Sequence, residues 1–127
     1  MKVLVCCIVS FLNSIVINAQ FGPEIIIDQN ATGPRYVTAA DIDADGDIDV
    51  LAGANGSTVW YENIDGQAGF GMPQIISNIL QDIRYVGTAD IDGDDALDVI
   101  TTCFSDDLVL WSKNADGMGN FNGPTLV

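Results

Sequence analysis

Two nine-residue stretches carry the chemistry of this chain: Asp41-Ile42-Asp43-Ala44-Asp45-Gly46-Asp47-Ile48-Asp49 and Asp90-Ile91-Asp92-Gly93-Asp94-Asp95-Ala96-Leu97-Asp98. Both read D-x-D-x-D-x-x-x-D. Carboxylates packed this closely repel one another unless a cation sits among them. Acids at places 1, 3 and 5 allow a short turn to wrap oxygens round a hard cation. Calcium takes six to eight oxygens at about 2.3–2.6 Å, commonly with a backbone carbonyl at place 7 and a glycine at the sharp turn.

Comparison of the two copies sorts the ligands. Place 7 is Asp47 in one and Ala96 in the other, and a ligand position that tolerates alanine must use its carbonyl. The expected side-chain ligands are therefore Asp41, Asp43, Asp45 and Asp49, with the carbonyl of Asp47. The second set is Asp90, Asp92, Asp94 and Asp98, with the carbonyl of Ala96. Place 6 is Gly46 and then Asp95. Asp enters the left-handed region less cheaply than Gly, by roughly 1 kcal/mol, so the second loop reads as the weaker match.

These loops need elements to hold them. Tyr36-Val37 and Ala40-Asp41 correspond to Tyr85-Val86 and Ala89-Asp90, Asp49-Val50-Leu51 to Asp98-Val99-Ile100, and Trp60 to Trp111. Two residues are inserted in the second copy before its tryptophan. Further on, Asn63-Ile64-Asp65-Gly66 corresponds to Asn114-Ala115-Asp116-Gly117, and Phe70 to Phe121. Each unit holds four short runs rich in Val, Ile, Thr, Tyr and Trp, separated by Gly, Asn and Asp, which is strand and turn chemistry. The expected runs are 36–42, 49–54, 58–63 and 73–77, then 85–91, 98–104, 108–113 and 124–127. A period of about 50 residues with four strands points to the blade of a β-propeller. An EF-hand is excluded, because the flanks read as strands and the twelfth places are Ala52 and Thr101.

The acidic loop followed by Val-Leu, a Trp strand and Asn-x-Asp-Gly-x-Gly-x-Phe resembles the FG-GAP/VCBS repeat family. Asn114-Ala115-Asp116-Gly117-Met118-Gly119-Asn120-Phe121 matches the second motif in full, and in the first repeat Ala68 replaces the second glycine. The resemblance implies blades like those of the integrin α propeller, with calcium in the loop joining a blade's first two strands. It also implies a secreted or cell-surface protein used in adhesion or ligand binding, or as a module beside an enzyme.

The expected organisation is a signal peptide over 1–19, the end strand of a preceding repeat with a linker over 20–34, and blades over 35–78 and 79–127. The fold expectation is all-β, two four-stranded antiparallel blades, a fragment of a larger propeller. Met1-Lys2, the apolar run 3–17 and Ala19 before Gln20 make the signal. That run falls short of the ~20 apolar residues of a membrane span, so none is expected after cleavage. Cys6 and Cys7 leave with the signal, and Cys103 remains as a small buried residue.

Eighteen acidic residues against four basic ones give a net charge of −14. Such a surface repels nucleic acid and anionic membranes. Ten of the acids lie in the two loops, so the charge is chiefly a cation-binding inventory. Catalysis finds little to work with: there is no His, Glu24 and Glu62 are isolated, and Lys113 is the only lysine of the mature chain. The expectation is no enzyme, with calcium as the cofactor and an extracellular protein, a glycan or further blades of the same protein as partners. A secreted propeller enzyme such as a polysaccharide lyase, or a structural spacer, are the alternatives. Trp60, Tyr61 and Trp111 could stack on sugars, but packing between blades is their expected role. Asn30-Ala31-Thr32 and Asn55-Gly56-Ser57 are glycosylation acceptors in a eukaryotic host.

Overall fold

The computed structural model describes residues 22–79 and 81–127. The leader read over 1–19 lies outside them. The described residues form two four-stranded antiparallel sheets and no helix. The first holds β1 (Tyr36–Ala40), β2 (Asp49–Ala54), β3 (Ser57–Tyr61) and β4 (Gln74–Ser77) in that spatial order. The second holds β5 (Ile83–Ala89), β6 (Asp98–Cys103), β7 (Leu108–Ser112) and β8 (Thr125–Leu126). Each is a meander in which sequence neighbours pair, the outcome expected of strands separated by short polar turns.

The internal repeat survives in the register. Leu51 pairs with Trp60 in the first sheet and Ile100 with Trp111 in the second. The two inserted residues fall in the β6–β7 hairpin. It turns through residues 104–107, where β2 and β3 are joined by Asn55-Gly56 alone.

The two sheets pack face to face. Ile42, Leu51, Trp60 and Ile76 of the first blade form one apolar core with Ile83, Val86, Val99, Cys103 and Leu110 of the second. Cys103 is thus a small core residue, as expected. Within this core the hydroxyls of Thr58 and Thr101 share a hydrogen bond of 3.0 Å. Two buried hydroxyls that satisfy each other avoid a desolvation penalty of roughly 1–3 kcal/mol for each orphaned group.

Alternation along β3 explains what the tryptophans do. Trp60 points into the core between blades, 2% exposed, and its ring meets Phe121 edge-on at 6.4 Å. Trp111 is its repeat equivalent, but β7 carries it on the sheet face turned away from the first blade. It is only half-buried there. Tyr61 corrects the expectation of packing between blades. It faces the other side of β3, in a small cluster with Ala52 and Val59, and its hydroxyl donates to Asp28 Oδ2 at 3.0 Å.

Residues 22–35 form no strand, which differs from the end strand expected over 20–34. A fourth strand needs a third strand of its own blade to pair with, and β3 already pairs with β4. The segment instead lies along the first blade as coil. Asn55 N donates to Thr32 O at 3.2 Å and Arg35 N to Gly53 O at 2.9 Å. Ile25 and Ile26 stay 62% and 71% exposed.

Candidate metal centres

Both acidic stretches sit where the sequence pattern requires, between β1 and β2 and between β5 and β6. They share one rim of the molecule and flank a groove lined by Asp41, Asp43, Asp94, Asp95, Ala96 and Met118. Each loop opens where the first strand of its blade ends, and each closes on a buried aspartate at place 9.

That place-9 aspartate is the anchor. Asp49, fully buried, accepts from Ile42 N at 3.1 Å and from Asn63 N at 2.8 Å. Asp98, equally buried, accepts from Ile91 N at 3.2 Å and from Asn114 N at 2.9 Å. One carboxylate thereby ties the second residue of the loop to the residues just beyond the third strand. Each backbone donor that would be orphaned inside the blade gains a charged acceptor, a stronger bond than a neutral pair makes.

The Asn of the second motif completes the frame. Asn63 Nδ2 donates to Ile48 O at 3.1 Å, and its Oδ1 accepts from Ala68 N at 3.2 Å. Asn114 Nδ2 donates to Leu97 O at 3.3 Å, and its Oδ1 accepts from Gly119 N at 3.0 Å. The Asp two places later caps its own turn. Asp65 Oδ1 accepts from Gln67 N and Gly69 N, both at 2.8 Å, and these bonds hold its carboxyl below the usual range. The sequence reading used Asn63 and Asn114 only as repeat markers. Their fixed distance after the Trp strand was the signal for a framing role.

In the first loop, carboxylate oxygens of Asp41, Asp43 and Asp45 come within 4.8 Å of one another. Asp49 is not part of this group, although its equivalent Asp98, with the same two N–H donors, joins the group of the second loop. Asp47 also stands apart, with its side chain turned to the second motif: a Cβ placed on Gly66 would lie 2.5 Å from Asp47 Oδ1. The equivalent pair in the second blade is Ala96 and Gly117, where the same Cβ would lie 3.6 Å from Ala96 Cβ. Side chains at place 7 therefore point away from the acidic centre in both loops.

Asp41 Oδ1 is buried and has no hydrogen-bond partner, while Oδ2 accepts from Gly46 N at 3.1 Å. Burial raises the pKa of the neighbouring Asp43. The charges of Asp45, Asp49 and Glu62 raise it further, and the N–H of Asp45 only partly offsets them. An orphaned buried oxygen beside a raised carboxyl is an arrangement that a cation would satisfy. The donor set, all hard oxygens, suits calcium and not a softer metal.

In the second loop the converging group is Asp90, Asp92 and Asp98. Asp94 is not in this group; Lys113 Nζ lies 2.9 Å from Asp94 Oδ2 and also contacts Asp92 Oδ2. The ammonium, helped by Ala96 N–H, holds the Asp94 carboxyl below the usual range. Asp92 and Asp94 in turn push the Lys113 ammonium up. In the sequence Glu62 reads as an isolated acid and Lys113 only as the one lysine of the mature chain. They occupy the same place in the repeat, directly before the Asn of the second motif, each beside its own acidic loop.

The backbone revises the comparison of the loops. Two places in each are left-handed: Ala44 (φ 60°) and Gly46 (φ 97°) in the first, Gly93 (φ 79°) and Asp95 (φ 68°) in the second. Each loop thus has one glycine and one side-chain-bearing residue at these places. Asp95 does not by itself make the second loop the worse turn.

A family model described as the FG-GAP-like repeat matches residues 41–101, from the first residue of the first loop to the strand after the second. No curated protein and no solved structure matches the chain. The matched span holds the two acidic loops and the blade strands that frame them, and over these residues the chain is similar to the FG-GAP-like repeat family.

Proposed function

We propose that the chain is a calcium-stabilised blade module of a secreted or cell-surface protein, acting in adhesion or ligand binding and not in catalysis. The observation that carries the calcium reading is the first loop: three converging carboxylates, with Asp41 Oδ1 buried and unpartnered. Extracellular calcium supports the same reading, because modules of this kind bind at Kd of roughly 10⁻⁴–10⁻³ M, near the ambient concentration. The leader read over 1–19 favours export. The adhesion reading rests on the family resemblance and on a chain with no His, which leaves acid–base catalysis few groups near neutral pH. An extracellular protein or glycan is the proposed partner.

The test is thermal melting of the full chain in millimolar calcium and in chelator. Calcium that binds only the folded loop adds on the order of 0.4–1.4 kcal/mol at those affinities. The expected result is a higher Tm with calcium, lost in Asp41→Asn and largely kept in Asp47→Asn. Equal losses from both variants, or no calcium effect in the parent chain, would refute the reading. Binding to immobilised glycans and to extracellular-matrix proteins, dependent on calcium, tests the adhesion role.

A further inference from the structure

The two loops share one design but neutralise their charge differently. In the first, Asp41 accepts a single N–H and keeps a buried oxygen without a partner. The residue after β3 is Glu62, whose charge adds to the repulsion on Asp43. In the second, both oxygens of Asp90 are used: Oδ1 accepts from Gly93 N at 2.7 Å and Asp94 N at 3.1 Å, and Oδ2 from Asp95 N at 3.0 Å. The residue after β7 is Lys113, and its ammonium bridges Asp92 and Asp94. The first loop has an unmet demand for positive charge, whereas the second contains its own supply.

We propose that the Lys113 ammonium takes the cation's place in the second loop, so that in the native chain only the first loop takes up calcium. This inference rests on the calcium reading of the first loop. A tethered ammonium is present at high effective concentration, so a free ion must displace it to enter. Calcium needs six to eight oxygens. Four of those the second loop could offer are engaged: Asp92 Oδ2 and Asp94 Oδ2 by Lys113, and both oxygens of Asp90 by three backbone N–H groups. An evicted ammonium would remain nearby on the strand end and repel the incoming divalent ion. The second blade is thereby held in shape without metal, and the first answers to calcium concentration.

Calcium titration calorimetry on the full chain tests this, with Lys113→Glu restoring the charge found at Glu62. The parent chain should bind one calcium. Lys113→Glu should bind two, with second-loop affinity raised about tenfold or more. Two calcium ions in the parent chain, or one in Lys113→Glu, would overturn the proposal. Lys113→Met, which keeps the apolar stem, gives a second readout. In chelator its Tm should fall below that of the parent, and millimolar calcium should restore it. An unchanged Tm in chelator, or a fall that calcium does not restore, also overturns the proposal. If the parent chain binds no calcium yet Lys113→Met is rescued by it, the lysine assignment stands and the reading of the first loop fails.

Discussion

The side-chain amide of Asn114, in the second blade, donates to the carbonyl of Ile42, in the acidic loop of the first, at 2.8 Å. The same residue donates its backbone N–H to Asp98, the anchor of the second loop. One asparagine thus connects the two candidate metal centres through a buried path. Its repeat equivalent, Asn63, makes the matching bonds within its own blade and bonds to no other blade among the described residues.

The two asparagines therefore serve as controls for each other. Asn114→Ala should destabilise the chain by about 2–3 kcal/mol, because it orphans the buried Ile42 O and the part-buried Leu97 O and Gly119 N. Asn63→Ala should cost less, with no inter-blade bond to lose. Urea denaturation of both variants in chelator gives the comparison. Equal losses would mean that the Asn114–Ile42 bond contributes nothing across the blade boundary.

Gly119 and Ala68 hold the same place in the second motif, both left-handed, at φ 83° and 69°. A Cβ on Gly119 would collide with the indole of Trp60. Gly119→Ala should therefore lose about 2–3 kcal/mol, from backbone strain together with overpacking. Ala68→Gly should change stability by no more than about 1 kcal/mol, relief of strain being offset by added chain entropy. The same denaturation curves decide this, and a Trp60 fluorescence shift confined to Gly119→Ala would locate the effect at the blade boundary.

The strands and loops were legible in the sequence because their signals are local. Val, Ile, Thr and Trp runs between Gly- and Asp-rich turns specify a strand wherever they fall, and the acidic spacing specifies a turn. The segment 25–27 carries the same apolar signal and yet forms no strand, since a strand needs a neighbour and local pattern does not supply one. Trp111 repeats Trp60 in type and register but not in burial, because burial depends on what faces the sheet. Lys113 was the least legible residue. Its contact with the loop of Asp92 and Asp94 depends on β7 pairing with β6 in one register, so its meaning appears only once the sheet is formed. The left-handed turns at Ala44 and Gly93 were missed for a similar reason: comparing glycines at place 6 alone hid an exchange between places 4 and 6.

That exchange makes a prediction about turn strain. Ala44→Gly should raise stability in chelator by up to about 1 kcal/mol, since alanine is poorly suited to φ 60°. Asp95→Gly should gain less, because aspartate tolerates this region better than alanine does. Melting temperatures in chelator should rank Ala44→Gly above Asp95→Gly, and both at or above the parent. The reverse ranking would show that the Asp95 carboxylate, not its backbone, limits the second loop.

Tyr61 should make the first blade sensitive to alkaline pH. Its hydroxyl lies under the coil of residues 28–32 and donates to Asp28, and burial, then that bond and charge, push its pKa up from 10.0 to about 12. A phenol is neutral when protonated, so the fold holds the proton more tightly than the unfolded chain does. The stabilisation is therefore fully present below pH 10 and is lost progressively as pH rises from 10 towards 12. Tyr61→Phe removes the titrating group and leaves Asp28 Oδ2 without this donor at a partly exposed site, so it should cost about 1 kcal/mol at neutral pH. Across pH 10 to 12 the parent should lose stability faster than Tyr61→Phe, and the two should converge. Urea midpoints measured at pH 8, 10 and 11 check this. Parallel curves for the two proteins would show that Tyr61 is not the group that holds its proton in the fold.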